Sequence, residues 1–354
     1  MKKDISPFSL AATYIGTVVG AGFASGLEVL QFFGYLGVKG IWGLLLTTAL
    51  FTLFGYFVLE LGFQLRANCH LPVIRHAGGP LIGRIIDVVI TFFLFGALTI
   101  MMAGGGAILH EQFGLPKLLG NSLMAIISIL TVVVGIGGVI SANSLVVPLL
   151  FFAVIGVSGY SLFMRPGAIA QNLMELDASQ AVLSWWPASA VAYTSYNIIL
   201  AVAVLAPLGA LSSSRRTLKL GALMGGFGLG LAAIAITLAL WAKLPEAAKY
   251  EIPMVYVAGG FSCGIRWAYS LVLLTEVYTT AVGNLYGFCA RMIDPERGRG
   301  FPLLVVITGV AAFLAAQLGF TTMVRVLYPA MGYAGLILLG ALTYRKVKDL
   351  FKLR

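Results

Sequence analysis

The chain has 354 residues, of which 60% are hydrophobic and 10% charged, and its mean hydropathy is +0.97. That composition excludes a soluble globular protein. The formal charge of +10 would suggest nucleic acid as a partner of a soluble chain, but here the charges fall in short loops between apolar runs, so no nucleic acid is expected and the bilayer is the implied surroundings.

A membrane span needs about 20 apolar residues, so the chain has room for about ten. The apolar run after Met-Lys-Lys-Asp is longer than a signal-peptide core and is expected to stay as the first span. In order, the spans are expected near 7–36, 40–65, 83–112, 118–140, 142–164, 187–211, 217–243, 262–290, 300–318 and 321–343. Most Lys and Arg cluster on one side: Lys2 and Lys3, Arg66, Arg75 and Arg84, Arg215, Arg216 and Lys219, Arg291, Arg297 and Arg299, and the tail from Arg345 to Arg354. The opposite side holds only Lys39, Lys117, Arg165, Lys243, Lys249 and Arg266. That asymmetry predicts a multi-pass protein of the cell's inner (plasma) membrane with both termini cytoplasmic. Five spans then make a first half, 7–164, and five more a second half, 187–343, entering the membrane from the other side. This is an inverted repeat if the halves are related. The segment 66–80, with Cys69, His70, Arg75 and His76, reads as a solvated basic loop, and 245–260 has room for a short helix over the outer mouth.

Span one carries Gly16, Gly20, Gly22 and Gly26, followed by Glu28. Each glycine weakens a helix by about 1 kcal/mol relative to alanine. Two readings follow: a helix broken near mid-membrane, whose bare backbone binds a small polar solute, or Gly-x-x-x-Gly faces for close packing. In span six the polar centre is Tyr193-Thr-Ser-Tyr-Asn197, later followed by Pro207.

Enzyme chemistry finds little support. Gly104-Gly-Gly106 lacks the lysine and strand–helix context of a phosphate loop, and His110-Glu-Gln-Phe-Gly is not a paired-histidine zinc motif. Cys69, Cys263 and Cys289 are far apart and in no metal-ligand spacing. Four carboxylates fall within spans, where an ionised group costs several kcal/mol and must face the protein interior or an end, or be protonated. Asp87 reads as interfacial, and Glu60, with Gln64 on its face, as structural. Glu28 suits a gate or ligand role, and Glu276 is the strongest functional candidate. Around it, Thr275-Glu-Val-Tyr-Thr-Thr280 offers hydroxyls at Thr279 and Thr280. They can bond back to their own helix, or join freed carbonyls in a cation site.

Ten spans, Val-Gly-Ala-Gly-Phe-Ala-Ser-Gly in the first and Thr-Thr-Ala-Val-Gly-Asn in the eighth resemble the LeuT-type five-plus-five transporter fold. The closer likeness is to the YkvI-type bacterial branch of the amino acid–polyamine–organocation superfamily. The resemblance implies an all-α membrane protein with spans one and six discontinuous. It implies a secondary transporter that moves a small amino-acid-like solute, an amino acid or amine, by alternating access. It places Na+ as the coupling ion, with H+ as the alternative, on the carbonyls of Gly16, Val19 and Glu276 and the hydroxyls of Thr279 and Thr280. It places the substrate's carboxylate on the amides of Ala21 and Gly22 beside Phe23, with Tyr193, Thr194 and Ser195 as lid and polar contacts and Tyr196 and Asn197 nearby. Glu276 and Glu28 stand as proton carriers or gates. No enzyme activity or resident cofactor is implied, and no second sodium site, since Phe23 stands where the neurotransmitter-type branch has an asparagine and span seven has no asparagine. The span-three tyrosine that clamps substrate is absent, and the glycines 104–106 leave room for a larger solute or a closer helix. A ligand-sensing receptor subunit on the same scaffold, without net transport, is the alternative reading.

Overall fold

The computed structural model describes residues 5–134, 137–164, 167–174, 176–293 and 300–352. Lys2, Lys3, Arg165, Arg297, Arg299 and Arg354, which carry part of the predicted charge asymmetry, lie outside them. The described residues form helices α1 (Pro7–Val18), α2 (Ala21–Ser25), α3 (Leu27–Phe32), α4 (Val38–Leu65), α5 (Leu71–Phe113), α6 (Lys117–Val134) and α7 (Gly137–Met164). They continue with α8 (Ala168–Leu173), α9 (Trp186–Ala210), α10 (Arg215–Trp241), α11 (Pro253–Gly259), α12 (Cys263–Met292), α13 (Phe301–Ala316) and α14 (Phe320–Lys352). Among the described residues, six helices are long and apolar enough to cross a membrane: α4, α5, α6, α9, α10 and α14. The 30-residue α12 has the length but carries Arg266, Glu276 and Arg291.

Local chemistry sets the ends. The Ser6 hydroxyl accepts from the Ser9 amide at 3.1 Å, with Pro7 next, and starts α1. Ser214 and Ser262 cap α10 and α12 in the same way. The first apolar segment is not one helix. After Val18 the backbone extends through Val19 (φ −74°, ψ 99°) and Gly20 (φ −117°, ψ −168°), then winds into α2 and turns again at Gly26 (φ 81°) into α3. The sixth segment departs from the expected break: α9 runs unbroken for 25 residues. It holds no glycine before Gly209. Pro207 falls in its last turn, and the Thr194 and Asn197 side chains bond to carbonyls of the same helix.

The long helices pack backbone to backbone. A Cβ on Gly62 of α4 would lie 2.0 Å from the Ala206 carbonyl oxygen of α9, and one on Gly209 would lie 2.1 Å from the Leu59 carbonyl oxygen of α4. The two helices therefore touch reciprocally through glycine, as small-residue faces allow in membranes. The glycine triplet of α5 is resolved in favour of close packing: Met124 and Asn121 of α6 fill the space over Gly105 and Gly106, and Phe320 stands over Gly104.

Ion pairs tie the ends of the bundle. At the basic end Glu60 of α4 pairs with Lys346 of α14, and Arg215 of α10 approaches at 3.9 Å. Asp87 of α5 pairs with Arg291 of α12. The segment 66–80 is more structured than a solvated loop. His70 is buried, its Nε2 lies 2.9 Å from Arg291 Nη1 and 3.2 Å from Asp87 Oδ1, and α5 starts immediately after it. At the other end Glu251 pairs with Lys117 at 2.5 Å and accepts from Thr321, while its amide donates to Glu111 at 2.6 Å. The short helix expected between spans seven and eight is α11, and its Met254 packs against Gly26.

Two outcomes follow from this packing. Gly62→Ala forces a methyl onto a backbone carbonyl and is expected to destabilise by about 1–3 kcal/mol. Gly340→Ala meets nothing within 4 Å and should be neutral or slightly stabilising, with thermal unfolding in detergent as the readout. Burial, and next the Arg291 charge, hold His70 down at about 4, below its ordinary 6.5, so the folded protein keeps a neutral ring. The unfolded chain takes up that proton first. The stabilisation is therefore complete above pH 6.5 and lost as pH falls from 6.5 towards 4. The wild-type Tm should drop across this window more than that of His70→Gln.

Candidate functional site

Breaking a helix inside a membrane leaves carbonyls and amides that have no water to bond, so each must find a partner in the protein. The first segment meets this demand from four directions. Tyr269 of α12 donates its hydroxyl to the Ala24 carbonyl at 2.6 Å. Ser189 of α9 donates to the Phe32 carbonyl at 2.6 Å, Trp241 of α10 donates its indole N–H to the Gly34 carbonyl at 2.9 Å, and the Val182 amide donates to the Gln31 carbonyl at 3.0 Å. Ser25 closes the turn locally, donating to the Gly22 carbonyl at 3.0 Å. In α2 the first intrahelical bond runs from the Ala24 amide to the Gly20 carbonyl at 2.9 Å. The amides of Ala21, Gly22 and Phe23 therefore precede any bond of that helix.

Glu28 folds back onto this break. Its side chain is 3% exposed and its Oε1 accepts from the Tyr196 hydroxyl. Its Oε2 rests on Gly22, where a Cβ would sit only 2.3 Å away, and the Tyr328 ring would lie 2.9 Å from the same Cβ. Aromatic rings enclose the carboxylate. Tyr196 stacks on Tyr328 with centroids 4.8 Å apart and planes 10° from parallel. Tyr193 meets Tyr196 edge-on at 5.4 Å, Phe32 at 5.3 Å and Phe33 at 5.0 Å. The i, i+3 spacing of Tyr193 and Tyr196 puts both on the face of α9 that meets the first segment.

Of the residues singled out in the sequence, the structure gathers Gly22, Tyr193, Tyr196 and Glu28 into this cluster, and buries Ala21 and Phe23 beside the break. Thr194, Ser195 and Asn197 use their side chains elsewhere. Thr194 bonds back to the Ala190 carbonyl at 2.8 Å, Ser195 donates to the Gly332 carbonyl of α14 at 2.7 Å, and Asn197 donates to the Tyr193 carbonyl at 2.9 Å. Tyr328, Phe32 and Tyr269 were not singled out. Tyr328 lies beside Pro329 and Arg325 in the last span, a polar aromatic in an otherwise apolar stretch, which was the one available signal.

The second group lies on α12, which packs against α5, α6, α7 and α2. Glu276 is 1% exposed. Thr280 donates to its Oε1 at 3.2 Å, and its Oε2 is buried without a hydrogen-bond partner. Thr279 donates to the Glu276 carbonyl at 3.0 Å. Gly16 lies within α1, and Val19 begins the extended stretch, its amide bonded to the Ile15 carbonyl at 2.8 Å. The hydroxyls thus bond within their own helix, and beside them Glu276 Oε2 is a buried acceptor that a cation could meet.

No protein-family model matches the sequence. The chain is 34% identical over 345 residues to the "Uncharacterized membrane protein YkvI" of Bacillus subtilis (strain 168), with 96% of each chain covered. Among solved structures it resembles a Na+-coupled sialic acid symporter in its substrate-bound outward-open state, with a TM-score of 0.66 and 15% identity over 94% of this chain and 77% of the other. It resembles MhsT in complex with L-phenylalanine to the same TM-score, with 16% identity over 95% of this chain and 89% of that one. The fold is therefore that of the LeuT-type transporters, in a multi-pass membrane protein.

Proposed function

We propose that this chain, which belongs to the family of the YkvI membrane protein, is a secondary active transporter of a small amino-acid-like solute, an amino acid or amine. The observation that carries this reading is the interruption of the first apolar segment at Val19 and Gly20, with the buried carboxylate of Glu28 folded back onto it, in a transporter fold. We place the family in the amino acid–polyamine–organocation superfamily, with 7–164 and 187–343 as inverted repeats and both termini on the cytoplasmic side of the cell's inner membrane.

In this reading the solute sits at the break, among Ala21, Gly22, Phe23, Tyr193 and Tyr196, with Ser195 tying α9 to α14 and Thr194 and Asn197 bonding within α9 nearby. The coupling ion is Na+, held by the carbonyls of Gly16, Val19 and Glu276 and the hydroxyls of Thr279 and Thr280, with Glu276 adding charge. H+ carried by Glu276 is the alternative. An ion bridging α12 to the interrupted segment favours the conformation that binds solute, and the solute then raises ion affinity by the same factor. Alternating access follows if the elements around the break rock about it while the rigid α4–α9 contact stays intact.

Vesicles reconstituted with the protein should accumulate at least one labelled amino acid or amine under an inward Na+ or H+ gradient and release it when the gradient is collapsed. Accumulation under neither gradient would overturn coupled uptake. Thr280→Ala should weaken the ion dependence of uptake about tenfold, as expected for losing one charge-assisted contact. Gly283→Ala, on the same helix with nothing within 4 Å of its Cβ, should leave it unchanged. Equal effects of the two would show the hydroxyl to be structural.

A further inference from the structure

The resemblance assigns the substrate's carboxylate to the backbone at Ala21 and Gly22. In this chain a carboxylate already lies against Gly22, and it belongs to the protein. Glu28 Oε2 lies against Gly22 closely enough that no side chain would fit between them. A second carboxylate at that spot would face Glu28 at contact distance in a site almost free of water, where like charges repel most strongly. Among the described residues Glu28 is in no ion pair, whereas Glu60, Asp87 and Glu251 each have a Lys or Arg partner. Glu60, Asp87 and Glu251 are thus neutralised from within, and Glu28 at the break is not.

The surroundings specify what kind. A small hard metal ion takes about six oxygens. What surrounds Glu28 is instead a wall of rings from Phe32, Tyr193, Tyr196 and Tyr328, three of them bearing hydroxyls. Ring faces attract an ammonium through their quadrupole, and apolar edges accept its carbon skeleton. The rings and the carboxylate together match an organic ammonium. We propose that Glu28 is the anionic pole of the solute site and the residue that sets its specificity. On that proposal the solute is an amine whose ammonium group pairs with Glu28 between Tyr193, Tyr196 and Tyr328, and amino acids bearing a free carboxylate at that position are rejected. This inference rests on the transporter reading for the location of the site, and it decides between the two solute classes that reading leaves open.

The test uses purified full-length protein in detergent, with thermal unfolding followed in the presence of matched pairs: phenylethylamine and phenylalanine, cadaverine and lysine, choline and glycine betaine. A bound ligand raises Tm by mass action. In at least one pair the amine should raise Tm and its carboxylate-bearing counterpart should not. Glu28→Gln, close to isosteric, should weaken that amine's apparent Kd about 10- to 100-fold, the range for losing a charge-assisted hydrogen bond in a buried site. Gly22→Ala, whose methyl would displace the carboxylate, should weaken it as well, and Glu28→Asp should retain part of the response. Stabilisation by the carboxylate-bearing members but not by the amines would overturn the assignment. So would an amine response that survives Glu28→Gln, no response to any amine, or a Glu28-dependent response to NaCl alone. Gradient-driven accumulation in vesicles reads the transporter proposal separately, so an amino acid that accumulates would sink the amine assignment and leave transport standing.

Discussion

In a bilayer a peptide group without a partner costs several kcal/mol, and the whole centre of this protein is arranged around one stretch that breaks that rule locally. The first apolar segment leaves its helix at Val19 and turns again at Gly26, and its carbonyls at Ala24 and, at its far end, Gln31, Phe32 and Gly34 are each met by a group from another part of the chain. Tyr269, Ser189 and Trp241 come from three different helices. The interrupted segment is consequently held by the fold, and any motion of α9, α10 or α12 is felt at the break.

Around that centre the helices divide by how they touch. Between α4 and α9, glycine meets carbonyl directly in both directions, which leaves no slack. At the basic end, Glu60 with Lys346 and Asp87 with Arg291 join helices far apart in sequence, and because Glu60 is buried, losing its Lys partner would leave an uncompensated charge inside the protein. Of the three buried carboxylates among the described residues, Glu60 is paired with Lys346, and the other two, Glu28 and Glu276, differ in their surroundings. Glu28 faces rings and glycine, and Glu276 takes a hydroxyl from Thr280 on its carboxylate and one from Thr279 on its backbone carbonyl. One surrounding suits an organic cation and the other a small inorganic one or a proton.

Much of this was readable from residues alone where the signal is local. Apolar run lengths announced a multi-pass helical protein, and the glycine spacing with Glu28 pointed to the first segment. Composition could not decide between a break and a packing face there, since the same glycines permit both. The expected break in α9 fails for a plain reason: a polar centre is not a weak backbone, and Thr194 and Asn197 satisfy themselves within the helix. The segment 66–80 read as solvated because its residues are polar, yet His70 is buried by Asp87 and Arg291, the latter 221 positions away.

By itself, then, the order of residues determined an all-helical membrane protein, the rough place of its long apolar helices and the short list of polar groups that had to be accounted for inside a membrane, because hydropathy and helix-breaking act over neighbouring positions. Only the tertiary structure decided which of those groups meet. Tyr328 joins Tyr196 across 132 positions of chain, and Glu28 returns to Gly22 only because the backbone turns at Gly26. Such meetings depend on how whole helices cross, and no window of sequence contains that information.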